Sequence, residues 1–144
     1  MTIVAEILKT KPEQAVHSIE PAASVRDAAQ RMTQKNVGAL LVLDAGRVVG
    51  IVSERDCARK VVAGDRVAGG TPVRDVMSSP VMYVGPRHTS AECMALMTEN
   101  RLRHLPVLDD DRLVGLISIG DLVKDIISEQ QFIIEQLEHY ITGR

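Results

Sequence analysis

Between residues 24 and 56, apolar side chains change their spacing twice. Val25, Ala28, Ala29 and Met32 fall at i, i+3, i+4 and i+7, which predicts a helix with one buried stripe. Two β-rich runs follow, residues 39–43 and 48–52, separated by Asp44-Ala45-Gly46, short enough for a hairpin. A second helix is expected to open at Ser53. The same succession returns between residues 89 and 121, with β-rich runs at 104–108 and 113–117 around Asp109-Asp110-Asp111 and a helix opening at Ser118. Ser24 and Thr89 stand where helix N-caps belong. A Pro-marked extended stretch precedes each first helix, at residues 15–19 and 81–84.

The recurrence is a duplication. Met32-Thr33 matches Met97-Thr98, Leu43-Asp44 matches Leu108-Asp109, and Gly50-Ile51-Val52-Ser53 matches Gly115-Leu116-Ile117-Ser118, always at an offset of 65. Residues 24–56 and 89–121 are identical at 11 of 33 positions without a gap. Upstream, Val4-Ala5-Glu6-Ile7-Leu8 matches Val73-Arg74-Asp75-Val76-Met77 at an offset of 69, so the first copy carries a loop four residues longer. The expected organisation is repeat 1 over 1–63, a Gly/Pro-rich linker over 64–72, repeat 2 over 73–127 and a helical extension over 128–144. One copy cannot bury both faces of so small a sheet, so two copies should pack together and leave two related clefts. Residues 122–141 contain neither Gly nor Pro, Ile126, Ile133, Leu137 and Tyr140 make an apolar stripe, and Gly143 is placed to end that helix.

Composition narrows the function. With 17 Lys+Arg against 19 Asp+Glu there is no basic excess for a nucleic acid. One Phe, two Tyr and no Trp leave the core to aliphatic residues and Met, and provide no base-stacking platform. Cys57 and Cys93 form neither a disulfide framework nor a zinc spacing, and both read as small core residues. The four histidines never take metal-ligand spacing, and His88 and His139 read as surface residues, so no metal is expected. No apolar run approaches the roughly 20 residues of a membrane helix and nothing resembles a signal peptide, so a cytoplasmic protein is expected. G-x-G-x-x-G, G-x-x-x-x-G-K-[ST] and G-x-S-x-G are all absent, and no acid/base pair converges, so no catalytic residue is assigned.

The sharpest repeated feature is Gly-apolar-apolar-Ser-x-x-Asp, ending in Ser53-Glu54-Arg55-Asp56 and Ser118-Ile119-Gly120-Asp121. Taken alone, S-x-x-D is a helix capping box. The same geometry offers free N–H groups, a positive dipole end and a hydroxyl to a phosphate, and a carboxylate to a ribose. With the hairpins and Arg103-His104-Leu105-Pro106-Val107, the duplicated motif resembles a pair of CBS domains (a Bateman module), from Val4 to about Ile127. That resemblance implies an α/β fold of two tandem β-α-β-β-α repeats packed with pseudo-two-fold symmetry, plus a C-terminal helix. It also implies a non-catalytic, homodimeric regulatory module, which binds AMP, ATP, NAD(H) or S-adenosylmethionine between its repeats and signals to an unidentified regulated protein.

By position, Asp56 and Asp121 match the ribose-binding acid, and Ser53 and Ser118 the phosphate-contacting hydroxyl. The resemblance places His17 and Val37-Gly38 on the adenine side for Asp121, and Met82 and Leu102-Arg103 for Asp56. Taken individually, Met82 and Val37 read first as plain core residues, ahead of the adenine-side role. Arg55, Arg103 and His104 are candidate phosphate-side groups, with a solvated strand edge as the alternative for the latter two. A ligand-free interaction scaffold and a small enzyme acting on an adenosyl ligand are the competing functions.

Overall fold

The computed structural model describes residues 2–12 and 15–143. The longer loop of the first copy includes Glu13 and Gln14, which lie outside the described residues. The chain divides into two compact units, Ala15–Met82 and Met1–Gln14 with Tyr83–Arg144.

In the unit Ala15–Met82, β1 (Ser18–Ile19) runs parallel to β2 (Ala39–Asp44), which pairs antiparallel with β3 (Arg47–Ser53). The helix α2 (Val25–Lys35) begins at Ser24, whose side chain accepts from the Asp27 N–H, and ends at Asn36 in the left-handed region. Its buried face is Val25, Ala28 and Met32, whereas Ala29 is exposed, so the expected stripe is one residue narrower. Ser53 then opens α3 (Glu54–Asp56), which widens into a π-helical turn at Cys57–Val62.

Residues 64–72 are more than a tether. They contain a 3-10 turn, Ala68–Gly70, the Thr71 carbonyl accepts from Val25 N, and the Thr71 hydroxyl bonds to the Val67 carbonyl. A second 3-10 turn, Val73–Asp75, puts Val73 and Val76 into the same core as Leu40, Val42 and Val52.

The other unit repeats this plan at the same offset. Val84 bridges Val107 in parallel, as Ile19 pairs with Val42. The helix α4 (Ser90–Asn100) is closed by a Thr89/Glu92 capping box, and β4 (His104–Asp109) pairs antiparallel with β5 (Arg112–Ser118). Both hairpins turn on two residues with positive φ, Ala45-Gly46 and Asp110-Asp111, the geometry that suits the twist of a tight hairpin. A single helix, α5 (Ile119–Thr142), ends on Gly143 at φ 70°. Leu122 is buried, but of the expected stripe only Ile126 is half-buried, and Ile133, Leu137 and Tyr140 are exposed. Among the described residues no helix is long and apolar enough to cross a membrane.

The units do not follow the sequence copies end to end. Helix α1 (Val4–Thr10) belongs by sequence to the first copy, yet Val4 and Ile7 fill the core formed by Leu105, Val107, Ile117 and Leu122. Val73 and Val76, their counterparts in the second copy, fill the core of Ala15–Met82. Each copy's leading segment therefore covers the hairpin of the other copy's motif.

Candidate nucleotide site

Each Gly-apolar-apolar-Ser-x-x-Asp segment runs from the last strand of a hairpin into a helix. A side chain lies close over the leading Gly in each copy. A Cβ on Gly50 would lie 2.4 Å from Met77 Sδ and 3.1 Å from the Ser78 carbonyl oxygen, and one on Gly115 would lie 2.6 Å from Leu8 Cδ2. Leu8 and Met77 are themselves equivalent residues of the two copies.

The serines and aspartates form reciprocal caps. Ser53 Oγ accepts from Asp56 N at 3.2 Å, and Asp56 Oδ2 accepts from Ser53 N at 2.9 Å and from Ser53 Oγ at 3.0 Å. Ser118 Oγ accepts from Asp121 N at 3.1 Å, and Asp121 Oδ2 accepts from Ser118 N at 2.8 Å. The first helical N–H is also engaged: Glu54 N donates to the Gly38 carbonyl at 3.1 Å and Ile119 N to the Arg103 carbonyl at 2.8 Å. The capping reading of S-x-x-D thus describes both copies.

Gly38 lies beside Ser53 through the Ala39–Ser53 pairing, and among the described residues only Glu54 Oε2, at 4.0 Å, is near its missing Cβ. His104 pairs with Ser118, and Arg103 next to it is exposed. Arg55 is exposed on α3. His17 is half-buried; its carbonyl accepts from Leu41 N, while its Nε2 is buried without a hydrogen-bond partner among the described residues. Val37 and Leu102 pack against their units' cores. Met82 is exposed, so its core reading does not hold. Cys93 is buried, whereas Cys57 is only half-buried at the edge of its core. Burial and the Asp56 charge push the Cys57 thiol's pKa up, the wrong direction for a nucleophile. His88 is exposed and accepts from Gly85 N. No cluster of three metal-ligating side chains occurs among the described residues.

Two open depressions within single units, one beside Arg31 and Arg74 and one between α4 and α5, are not lined by any motif residue.

Two lysines absent from the sequence reading complete the arrangement. Lys11 Nζ lies 2.9 Å from Asp121 Oδ2 and donates to the Leu116 carbonyl at 2.7 Å. Lys60 Nζ lies 3.7 Å from Asp56 Oδ1 and donates to the Val76 carbonyl at 2.8 Å. Lys60 was legible as an i,i+4 partner of Asp56. Lys11 stands 110 residues before Asp121 and carried no local signal.

Electrostatics separate the two copies further. Burial alone would raise the Asp121 pKa, but the Ser118 N–H and the Lys11 ammonium outweigh it and hold the carboxyl below its ordinary range. His104 is shifted down, first by burial, then by Lys11 and Arg103, with Asp121 opposing. A histidine with a depressed folded pKa takes up protons more readily when unfolded, so its stabilising effect is present above the unfolded value of about 6.5 and lost as pH falls toward the folded value. The thermal midpoint should therefore fall as pH drops below about 6.5, and His104→Gln should flatten that part of the curve. A midpoint profile from pH 5 to 8 that is identical in the variant would contradict this.

The CBS-domain family profile matches residues 4–63 and 73–128, covering both copies. The chain belongs to the CBS-domain family. A solved structure described as a signal-transduction protein with CBS domains, from Burkholderia ambifaria, is 51% identical with a TM-score of 0.87, covering 90% of this chain and 96% of that one. The Arabidopsis thaliana CBS domain-containing protein CBSX3, mitochondrial, is 36% identical over 99% of this chain and 73% of its own length. Bacillus subtilis YhcV, also CBS domain-containing, is 34% identical over 80% of this chain and 81% of its own. The tandem CBS pair and its α/β class, expected from the motifs, are thereby established.

Proposed function

We propose that this CBS pair is a non-catalytic regulatory sensor that binds an adenine nucleotide of the AMP, ATP or NAD(H) class at its Ser-x-x-Asp sites. The observation that carries the proposal is the double occurrence of one arrangement: a strand ending in serine, a helix beginning there, and a carboxylate one turn on, with a lysine beside it. The serine and helix end suit a phosphate and the carboxylate suits vicinal hydroxyls. The signal-transduction description of the Burkholderia relative favours a regulatory role. In both copies the serine and the aspartate are engaged with each other as a helix cap.

Thermal-shift measurements against AMP, ATP, NAD(H), S-adenosylmethionine and adenosine test the reading, because a ligand that binds only the folded state raises the midpoint. The expected result is a saturable rise with at least one nucleotide and recovery of that nucleotide unchanged. No shift with any of them at millimolar concentration overturns nucleotide binding, and chemical turnover overturns the non-catalytic assignment.

Self-association is part of the proposal. Phe132, Ile133, Ile134, Leu137, Tyr140 and Ile141 are all more than half exposed on α5, a concentration of apolar surface that association would cover. Light scattering at micromolar concentration should give twice the 15.7 kDa chain mass. A stable 15.7 kDa species would contradict the homodimer.

A further inference from the structure

We propose that Lys11 is a specificity-determining residue of the second-copy site, selecting a phosphorylated adenine nucleotide over the free nucleoside. The inference rests on the nucleotide reading of Ser118 and Asp121 and assigns a residue that neither motif contains.

Lys11 directly follows α1, and the body of its side chain is largely covered: 21% exposed, against 16% for Asp121. An ammonium has three donors. Two are committed, to Asp121 Oδ2 and to the Leu116 carbonyl. Leu116 lies on β5 two residues before Ser118, so the ammonium stands at the strand end that meets the helix. Asp121 Oδ2 already accepts from Ser118 N. A carboxylate oxygen has about two acceptor sites, so Lys11 fills Oδ2 and also neutralises the charge that would draw ribose hydroxyls.

This has opposite consequences for two ligands. A neutral nucleoside meets a carboxylate whose Oδ2 is filled and whose charge is neutralised, and it offers the ammonium no anionic partner in return. A nucleotide places a phosphate near Ser118, where the third Lys11 donor, or the whole ammonium swinging on its four-carbon stem, gains an anionic partner and releases Asp121 to the ribose.

The first copy lacks an equivalent. Its lysine, Lys60, is 45% exposed, sits at 3.7 Å and faces the other carboxylate oxygen, so water screens that pair more strongly. The residue matching Lys11 in the second copy is Pro80, and the one matching Lys60 is Asp125. The two lysines arose at unrelated positions.

The test is calorimetric titration of AMP and adenosine into the full chain carrying Asp56→Ala, so that binding reports the second copy. Lys11→Met should weaken AMP about tenfold and leave adenosine unchanged or tighter, while Lys11→Arg should keep the preference for AMP. If Lys11→Met loses folded structure by circular dichroism, Lys11→Gln, which keeps a donor for the Leu116 carbonyl, carries the same expectation. An AMP-to-adenosine affinity ratio unchanged in a folded variant that still binds AMP overturns the role of Lys11 alone. Failure of the chain with native Lys11 to bind either ligand, in the Asp56→Ala background and without that change, overturns the nucleotide reading together with it.

Discussion

Truncating Leu105 to alanine should lower the unfolding free energy by about 2–5 kcal/mol, and Leu40→Ala should do the same. The two are equivalent residues of the duplication, each fully buried on the first hairpin strand of its unit, against Val4, Val84, Met97 and Ile117 in one core and Val25, Met32, Val52 and Val73 in the other. Removing the isobutyl group forfeits its transfer free energy and leaves a cavity that β-branched neighbours are poorly able to collapse into. Val114 is the control: it lies on β5 but is 47% exposed, so Val114→Ala should stay within about 0.5 kcal/mol. Urea unfolding followed by circular dichroism compares the three. A loss below about 1 kcal/mol at both leucines would mean that these clusters are not the packed cores of the fold.

That the leucines occupy equivalent positions could be read from the chain, because the offset of 65 that aligns them also aligns the hairpins, the helix caps and the motifs. Periodicity located α2 and its cap, since a buried face at i, i+3 and i+7 needs no tertiary information. It over-counted at Ala29, whose methyl is small enough to sit on the flank of a helix at little cost in either environment. The Ser/Asp motif was legible for the same reason as the caps: its hydrogen bonds span three residues.

What was not legible is long-range. Helix α1 and the Val73–Asp75 turn match each other in sequence, which invites assigning each to the copy it precedes. Nothing local records that Leu8 covers Gly115 while Met77 covers Gly50. The exchange decides the site's chemistry, because it delivers Lys11 to Asp121. Once it is known, the invariance of the motif's glycine between the two copies acquires a cause, namely the side chain lying over it.

The largest effects on binding are expected at the two aspartates, and they should be unequal. Asp56→Ala and Asp121→Ala each remove charge-assisted hydrogen bonds worth roughly 1.5–3 kcal/mol, a loss of about 10- to 100-fold in affinity at the affected site. Alanine also removes half of a capping box, so asparagine is the cleaner substitution: its side-chain oxygen can still accept from Ser53 N or Ser118 N while the charge is gone. The consequences for stability then diverge. Asp56→Asn leaves Lys60 45% exposed and able to turn to water. Asp121→Asn leaves Lys11, only 21% exposed, with the Leu116 carbonyl but no counter-charge among the described residues. Partly buried ammonium groups stripped of their anion are costly, so Asp121→Asn should lower the thermal midpoint more than Asp56→Asn. The Asp121 carboxyl is held below its ordinary pKa, so its stabilising effect is present above the unfolded value of about 3.9 and disappears as pH falls through the folded one. The difference between the asparagine variant and the native chain should accordingly shrink only below about pH 4. Midpoints for both variants at pH 7 and pH 3, with nucleotide titrations at pH 7, check the whole set. Equal destabilisation by the two asparagines, or undiminished binding in the folded double alanine variant, would remove Lys11–Asp121 in the first case and both Ser/Asp sites in the second from the account of this protein.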